Sequence, residues 1–248
     1  MPAMGVPARK YLPLAEVLGR KGYAIALFEW RGIETSSVRA SRKDDFGYNE
    51  ILNHDLPEAI KKVREVYPEN PIYLLGHSLG GQLGFLLMCQ MPEEFEGLVG
   101  VATGTPYFKG WEFPNNVGIY VFSKLVRLIS ASVGHFPGRT FRFAGREARQ
   151  LMKDWSKTVS SGDYRIEGNP HEFEEICHQL HKRALMITVD DDVLAPEQSA
   201  KNLGDKLSSS EVQYAHLTAA DFDSGITGHF NWMKEPESVV REIAGWLE

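Results

Sequence analysis

The chain has 248 residues, of which 43% are hydrophobic and 24% are charged, and its formal net charge at pH 7 is −6. This composition excludes a disordered or fibrous protein, and the mildly acidic balance argues against nucleic acid or an anionic membrane as the main partner. The length allows one domain or two small ones.

Short apolar runs alternate with longer amphipathic ones along the chain, which is typical of a parallel sheet flanked by helices. A helix is predicted from Leu56 to about Tyr67, with Asp55 and Glu58 spaced as a capping box, and a terminal helix follows Pro236. The predicted strands are 23–28, 72–75, 97–102, 184–189 and 211–217. The predicted fold class is therefore α/β with a mostly parallel sheet.

A long aromatic-rich stretch, residues 105–179, interrupts the alternation. A connection of this length between two strands is usually a functional insertion, so we expect a cap over a site at the strand ends. An extra helical layer is the alternative. This predicts a core made of 1–104 and 180–248, with Tyr107 and Trp111 as candidate substrate-binding residues in the insertion.

The two cysteines, Cys89 and Cys177, are too few for a disulfide framework or a cysteine-rich zinc site. We interpret them as reduced, buried thiols in a reducing compartment. No run reaches the roughly 18 apolar residues that span a bilayer, and the first ten residues do not resemble a signal peptide. The sequence therefore predicts a cytoplasmic protein without stable membrane insertion.

The most informative motif is Gly76-His77-Ser78-Leu79-Gly80, which lies between an apolar strand and an apolar helix. A strand that turns into a helix within one residue forces a positive φ on the serine and leaves room only for very small residues two positions away. The Ser78 hydroxyl is then exposed above the helix N-terminus, where the N–H of Leu79 can stabilise an oxyanion. We interpret the motif as a nucleophile elbow, and the alternative is a chance glycine-rich turn.

A serine hydroxyl needs a neighbouring base that is oriented by an acid. His229 lies in the glycine-flanked loop 225–232, after the last predicted strand, where ligands collect at the edge of a parallel sheet. The alternative for His229 is a capping or packing role. The remaining histidines occupy the elbow, helical stretches, the insertion or a strand and are disfavoured as the base: His54, His77, His135, His171, His178, His181 and His216.

The acid is expected after a strand between the serine and the histidine. Asp190, Asp191 and Asp192 follow the strand 184–189. Asp192 is preferred because it lies three residues past the strand end and four before Pro196, and Asp191 is the alternative. Three carboxylates could also be solvated or hold a hard cation, but the further carboxylates that a metal site needs are absent. No metal is predicted.

The order Ser78, Asp192, His229 resembles that of the α/β-hydrolase superfamily, and the resemblance covers nearly the whole chain. It includes segment 22–32, which is similar to a strand ending in Asp-x-Arg-Gly, and the Asp-x-x-x-Pro stretch at 192–196. Segments 2–7, 136–138, 154–155 and 228–230 are similar to a bacterial subgroup of predicted hydrolases whose substrate is not well defined. The resemblance implies a Ser-Asp-His triad that acts on a carboxylic-ester-type bond, and Met4 or Gly5 as a second oxyanion donor.

The chain departs from the superfamily pattern in three places. Glu29 and Glu34 stand where aspartate and glycine are usual, and Val189 replaces a glycine, which keeps Asp191 open as the acid. The superfamily also carries strands ahead of the oxyanion loop, and before Met4 this sequence has no room for them, so we expect these N-terminal strands to be missing.

The sequence thus predicts an esterase- or lipase-like serine hydrolase that needs no cofactor and takes a small ester-type substrate with an apolar group. Acyl transfer, thioester or amide hydrolysis would use the same triad. A non-catalytic small-molecule-binding or interaction protein is a further alternative, and perhydrolysis rests on analogy alone. The substrate and the oligomeric state stay open.

Overall fold

The computed structural model describes residues 1–248. Its helices are α1 (Leu12–Arg20), α2 (Tyr48–Glu50), α3 (Leu56–Val66), α4 (Leu79–Gln90), α5 (Asn115–Val133), α6 (Gly138–Phe141), α7 (Arg149–Ser161), α8 (Phe173–Gln179), α9 (Glu197–Gly204) and α10 (Glu237–Leu247). Its strands are β1 (Tyr73–His77), β2 (Gly97–Val101), β3 (His135–Pro137), β4 (Arg146–Ala148), β5 (Arg183–Val189) and β6 (Glu211–Leu217).

Four strands form the main sheet in the order β1-β2-β5-β6, and every neighbouring pair is parallel. These are four of the five strands predicted from apolar runs, and helices connect them as expected for a parallel sheet. Strands β3 and β4 form a separate antiparallel pair within the insertion.

The two faces of the sheet contribute to two hydrophobic clusters, because successive side chains of a strand point to opposite faces. On β5, Ala184 and Met186 belong to a cluster of 35 buried residues, whereas Leu185, Ile187 and Val189 belong to a cluster of 17. Helix α4 is buried along almost its whole length in the larger cluster. The central strands β2 and β5 are therefore covered on both faces, which explains why they are almost entirely apolar, whereas the edge strand β6 is largely exposed and carries polar residues.

The prediction of a strand at 23–28 is wrong. Those residues form no strand, and Ile25 and Leu27 are each 39% exposed. A groove of about 870 Å³ with mainly apolar walls lies between this segment and β1. An apolar run becomes a strand only when a neighbour supplies its backbone hydrogen bonds, and here no neighbour does so.

The helix at 56–67 is confirmed as α3, but its predicted capping box is not formed. The chain enters α3 from a turn of π-helix, Ile51–Asp55, so Asp55 is already helical and cannot cap. Its carboxylate instead accepts a hydrogen bond from Arg31 Nε at 2.8 Å. The apolar stripe of α3 lines the groove described above, which leaves Tyr67 42% exposed.

The insertion between β2 and β5 contains α5 to α8 and the β3–β4 pair. Its buried residues Val126, Phe136 and Trp155 belong to the same hydrophobic cluster as α4, so the insertion packs continuously onto the core. Helix α5 is long and apolar enough to cross a membrane by length and composition alone, although no apolar run of that length was expected from the sequence.

The prediction of two reduced thiols is also wrong, because Cys89 and Cys177 form a disulfide. It joins α4 to α8 across 88 positions of sequence and lies within the larger hydrophobic cluster. Sequence separation alone gave no sign of this contact, since only the packing of α8 on α4 brings the two residues together.

Candidate active site

Ser78 lies between β1 and α4 with φ 53° and ψ −119°, the strained conformation predicted for a nucleophile elbow. A Cβ on Gly76 would overlap the backbone of Gly80, and a Cβ on Gly80 would overlap the backbone of Met1 and Pro2. Glycine is therefore required at both positions. At Gly80 the closest atoms belong to the N-terminal segment.

The elbow is held by the strand next to it. The Ser78 N–H donates to the Val101 carbonyl at 3.2 Å, and the buried Thr103 hydroxyl donates to the Ser78 carbonyl. Both partners are at or just beyond the end of β2. These contacts hold the peptide groups on either side of the strained residue against the end of β2.

The structure brings His229 and Asp192 together. The Nδ1 atom of His229 lies 2.9 and 2.8 Å from the two carboxylate oxygens of Asp192, and both side chains are buried. Asp192 Oδ1 also accepts the N–H groups of Leu194 and Ala195, each at 2.9 Å. A carboxylate fixed in this way holds the imidazole so that Nε2 is its free nitrogen.

The neighbouring carboxylates have other partners. Asp191 accepts a hydrogen bond from the Thr227 hydroxyl at 2.6 Å, and Asp190 lies 2.9 Å from Nε2 of His216. Asp191 also adopts a positive φ of 58°. Of the two candidates for the acid, only Asp192 contacts His229.

His229 packs beside the elbow. Its ring centroid lies 4.8 Å from that of His77, the residue before Ser78, and 4.6 Å from that of Phe230. The hydrogen bonds of the site do not include one between the Ser78 hydroxyl and His229. In enzymes without substrate such contacts are often long and tighten only when substrate binds.

His77 is buried, and its Nδ1 lies 2.7 Å from the Tyr11 hydroxyl. Burial, followed by the nearby charge of His229, holds the pKa of His77 well below its usual value. A neutral His77 does not oppose a positive charge on His229. The Tyr11 hydroxyl also accepts the N–H of Ala3 at 2.9 Å, so it links the N-terminal segment to the elbow.

The candidate oxyanion donors belong to two segments, the start of α4 and the N-terminal segment. Leu79 is the first residue of α4, so its N–H has no partner within the helix. Met4 and Gly5 lie in the N-terminal segment, whose backbone contacts Gly80, and their N–H groups form no backbone hydrogen bond. Gly5 has φ 72° and packs against the backbone of Gly145, so only glycine fits there.

The two candidate substrate-binding residues differ in position. Trp111 is buried, and its indole N–H donates to the Val193 carbonyl at 2.8 Å, beside Asp192. Tyr107 packs on Phe108 and lies close to Gly162 at the end of α7. The structure therefore brings Trp111 to the acid loop, while Tyr107 supports the insertion.

Two residues with clear contacts to the site were missed by sequence reasoning. Tyr11 and Thr103 orient the elbow and the N-terminal segment, but neither belongs to a motif. The position of Thr103, just after a predicted strand adjacent to the elbow, was the only available signal. No group of three or more histidine, cysteine, aspartate or glutamate side chains is arranged to hold a metal ion.

Comparisons with known proteins identify the family to which the chain belongs. The profile of the alpha/beta hydrolase fold matches residues 2–223. The rat monoglyceride lipase is 30% identical over 90 residues, which cover 36% of this chain and 29% of that protein. The matched stretch thus spans less than a third of that relative's length.

Solved structures agree over the whole chain. The monoacylglycerol lipase of Paleococcus ferrophilus has a TM-score of 0.64 at 15% identity, covering 100% of this chain and 91% of that one. Mouse alpha/beta hydrolase domain-containing protein 10 has a TM-score of 0.64 at 15% identity, covering 100% and 89%. With a profile match over most of its length and this shared architecture, the chain belongs to the alpha/beta hydrolase fold family.

Proposed function

We propose that the protein is a serine hydrolase of the esterase or lipase type, with Ser78 as nucleophile, His229 as base and Asp192 as the acid that orients it. The observation that carries the proposal is the buried Asp192–His229 pair beside a strained serine at a strand-to-helix turn. A carboxylate, an imidazole and a hydroxyl in this order are the groups that acyl transfer through a serine requires.

In the proposed reaction, His229 Nε2 removes the proton of Ser78 as its oxygen attacks the substrate carbonyl. The negative oxygen that forms is stabilised by the N–H of Leu79 and by an N–H of Met4 or Gly5. The protonated His229, stabilised by Asp192, then gives its proton to the leaving alcohol. Water activated by the same histidine hydrolyses the acyl-enzyme and restores Ser78.

The substrate class follows from the rim of the site. Four side chains on the loops that carry Asp192 and His229 are apolar and exposed: Val193, Leu194, Ile226 and Phe230. Such a rim favours an ester with an apolar acyl chain. The names of the relatives, monoglyceride lipase among them, support a monoacylglycerol-like ester as the first substrate to test.

The test compares Ser78→Ala with wild type and with Ser209→Ala, an exposed serine away from the elbow. We expect Ser78→Ala to lose hydrolysis of p-nitrophenyl esters and all labelling by a fluorophosphonate, and Ser209→Ala to retain both. A Ser78→Ala variant that labels as strongly as wild type would show that the nucleophile is misassigned. A panel of ester, thioester and amide substrates on the wild type then identifies the bond that is cleaved.

The cytoplasmic location expected from the sequence stays a prediction. One of its supports, the reduced state of the two cysteines, is removed by the Cys89–Cys177 disulfide, because such bonds persist mainly in oxidising compartments.

A further inference from the structure

Helix α5 exposes apolar side chains where a surface helix normally exposes polar ones. Val117 is 52% exposed, Val121 48%, Leu125 50% and Leu128 64%, and Phe113 just ahead of the helix is 81% exposed. We call these five residues the α5 apolar face. Its helical members recur at intervals of three or four, so they lie on one side of the helix.

The core-facing side of α5 is formed by a different set of residues: Val126 lies in the larger hydrophobic cluster, and Phe122 and Ile129 pack against it. Ser123 and Ser130 are fully buried, and their hydroxyls bond to carbonyls of the same helix. Packing against α7 and the β3–β4 pair therefore does not account for the apolar residues on the outside. An apolar face of this kind that is exposed to water indicates an interaction site.

Charge along α5 and the segment that follows it is positive, although the exposed Glu112 directly precedes Phe113. Residues 113–146 contain five lysine and arginine residues and no aspartate or glutamate, although the whole chain carries a net charge of −6. The five cations, none of which forms an ion pair with a carboxylate, are Lys124, Arg127, Arg139, Arg142 and Arg146. The net charge is a sum over the whole chain, so it does not reveal this cationic segment.

The cations of α5 border the apolar face. At 100° per residue, Lys124 and Arg127 lie along one edge of the arc formed by Val117, Leu128 and Leu125. An apolar face edged by lysine and arginine is the arrangement of helices that lie in the plane of a membrane surface, with apolar residues among the acyl chains and cations at the headgroups. Anionic headgroups attract each such cation.

We propose that the α5 apolar face docks the protein on the surface of an anionic lipid assembly. Helix α5 lies flat on the surface in this arrangement and does not cross it, since one side of the helix remains packed on α7. The face begins at Phe113, two residues after Trp111, which contacts the Asp192 loop. Docking there would place the apolar rim of the active site near the lipid surface.

The test measures binding to lipid vesicles by flotation, using the Ser78→Ala variant so that no ester is hydrolysed. One set of vesicles is phosphatidylcholine alone, and in the other about a third of the lipid is phosphatidylglycerol. We expect the protein to float with the anionic vesicles and to bind them at least about tenfold more tightly than the neutral ones.

Three variants in the Ser78→Ala background separate the contribution of the apolar side chains to vesicle binding from that of the cations. Leu125→Asp/Leu128→Asp should weaken binding to anionic vesicles by about tenfold or more, because it removes two inserted side chains and adds two negative charges. Lys124→Gln/Arg127→Gln should reduce the preference for anionic vesicles. Val66→Asp, at a residue that is 68% exposed on α3, is the matched control and should bind like the parent.

Each outcome decides the proposal, and thermal unfolding confirms that every variant is folded. Absence of vesicle binding, or equal binding by Leu125→Asp/Leu128→Asp and the parent, would overturn it. So would a dimer in sedimentation velocity that this double substitution converts to a monomer while lipid is not bound, because the face would then pair with a second copy. Since the assay involves no catalysis, its result is independent of the proposed hydrolase activity.

Discussion

Strand β5 and segment 23–28 are both short apolar runs, but only β5 forms part of the sheet. Ile187 in β5 is 1% exposed and lies between two parallel neighbours, β2 and β6. Ile25 in the other segment is 39% exposed and lies beside a groove. The comparison shows that an apolar run makes a strand possible, whereas a hydrogen-bonded neighbour makes it a strand.

The same difference separates the two halves of the candidate site. Ser78, Asp192 and His229 follow strands β1, β5 and β6 and are held by the sheet. The N-terminal segment that carries the other candidate oxyanion donors pairs with the sheet only at its first residue: the Met1 amine donates to the Leu75 carbonyl at 2.7 Å, and the Met1 carbonyl accepts the N–H of His77 at 3.0 Å. Beyond Met1, side chains hold the segment. Trp30 Nε1 donates to the Pro2 carbonyl at 2.8 Å, and Tyr11 accepts the N–H of Ala3. We expect the triad to be the more rigid half.

The largest expected effect on activity concerns the candidate triad, the half of the site that the sheet supports. Replacing Asp192 by asparagine should lower kcat for an ester substrate by about 10⁴-fold, because the imidazole loses the carboxylate that fixes its tautomer. Asp191→Asn is the matched control and should change kcat only a few-fold, since Asp191 binds Thr227 and not His229. Steady-state kinetics on both variants checks this. Equal losses in the two variants would contradict the assignment of the acid.

A smaller effect concerns the support of the N-terminal half. Glu147 is buried, accepts the N–H of Gly145 at 2.8 Å, and so fixes the backbone on which Gly5 packs. Burial raises the pKa of Glu147 from 4.5 to about 7. Between these values the folded protein holds a proton that the unfolded chain has released, so this carboxyl makes the protein less stable as the pH rises.

The expected loss from Glu147 is about 3 kcal/mol in the free energy of unfolding, complete once the pH exceeds about 7. Glu147→Gln should therefore gain about 3 kcal/mol relative to wild type between about pH 4 and about pH 8, measured by urea unfolding. The amine of Met1, whose pKa burial lowers to about 5, acts in the opposite direction but is common to both proteins. Glu112→Gln, at an exposed position, should show a constant difference. Parallel pH curves for wild type and Glu147→Gln would contradict the prediction.

The smallest effect tests the opening comparison directly. Ile187→Val should lower the free energy of unfolding by about 1 kcal/mol, because it removes a methyl group from a packed interior. The same substitution at Ile25 should change it by less than about 0.3 kcal/mol, since that side chain is only partly covered. Urea unfolding of both variants checks this. A large loss at Ile25 would mean that segment 23–28 is packed in solution as a strand would be.

Much of the site could be predicted from sequence because its signals are local. The turn at Ser78 needs small residues at fixed positions before and after it, so its strained backbone conformation can be predicted from the neighbouring glycines. His229 could be selected because it lies in a glycine-flanked loop after a strand. The choice between Asp191 and Asp192 was not local, since it depends on the backbone twist that directs one carboxylate to Thr227 and the other to His229.

Other features had no local signal. Asp55 and Glu58 have capping-box spacing, but the preceding π-helical turn makes Asp55 part of the helix, and Arg31 takes its carboxylate. Cys89 and Cys177 are paired because α8 packs on α4, which no pattern within either helix reveals. The outward apolar face of α5 was equally hidden, since its exposure depends on which side α7 covers.

The sequence by itself determined the alternation of strands and helices, the elbow at Ser78 and the chain order of the candidate triad, because each depends on side chains that are close along the chain. Only the tertiary structure decided which apolar run lacks a partner, which carboxylate reaches His229, and that the two cysteines meet. These outcomes depend on contacts between residues far apart in sequence, and such contacts form only when the whole sheet and its covering helices assemble.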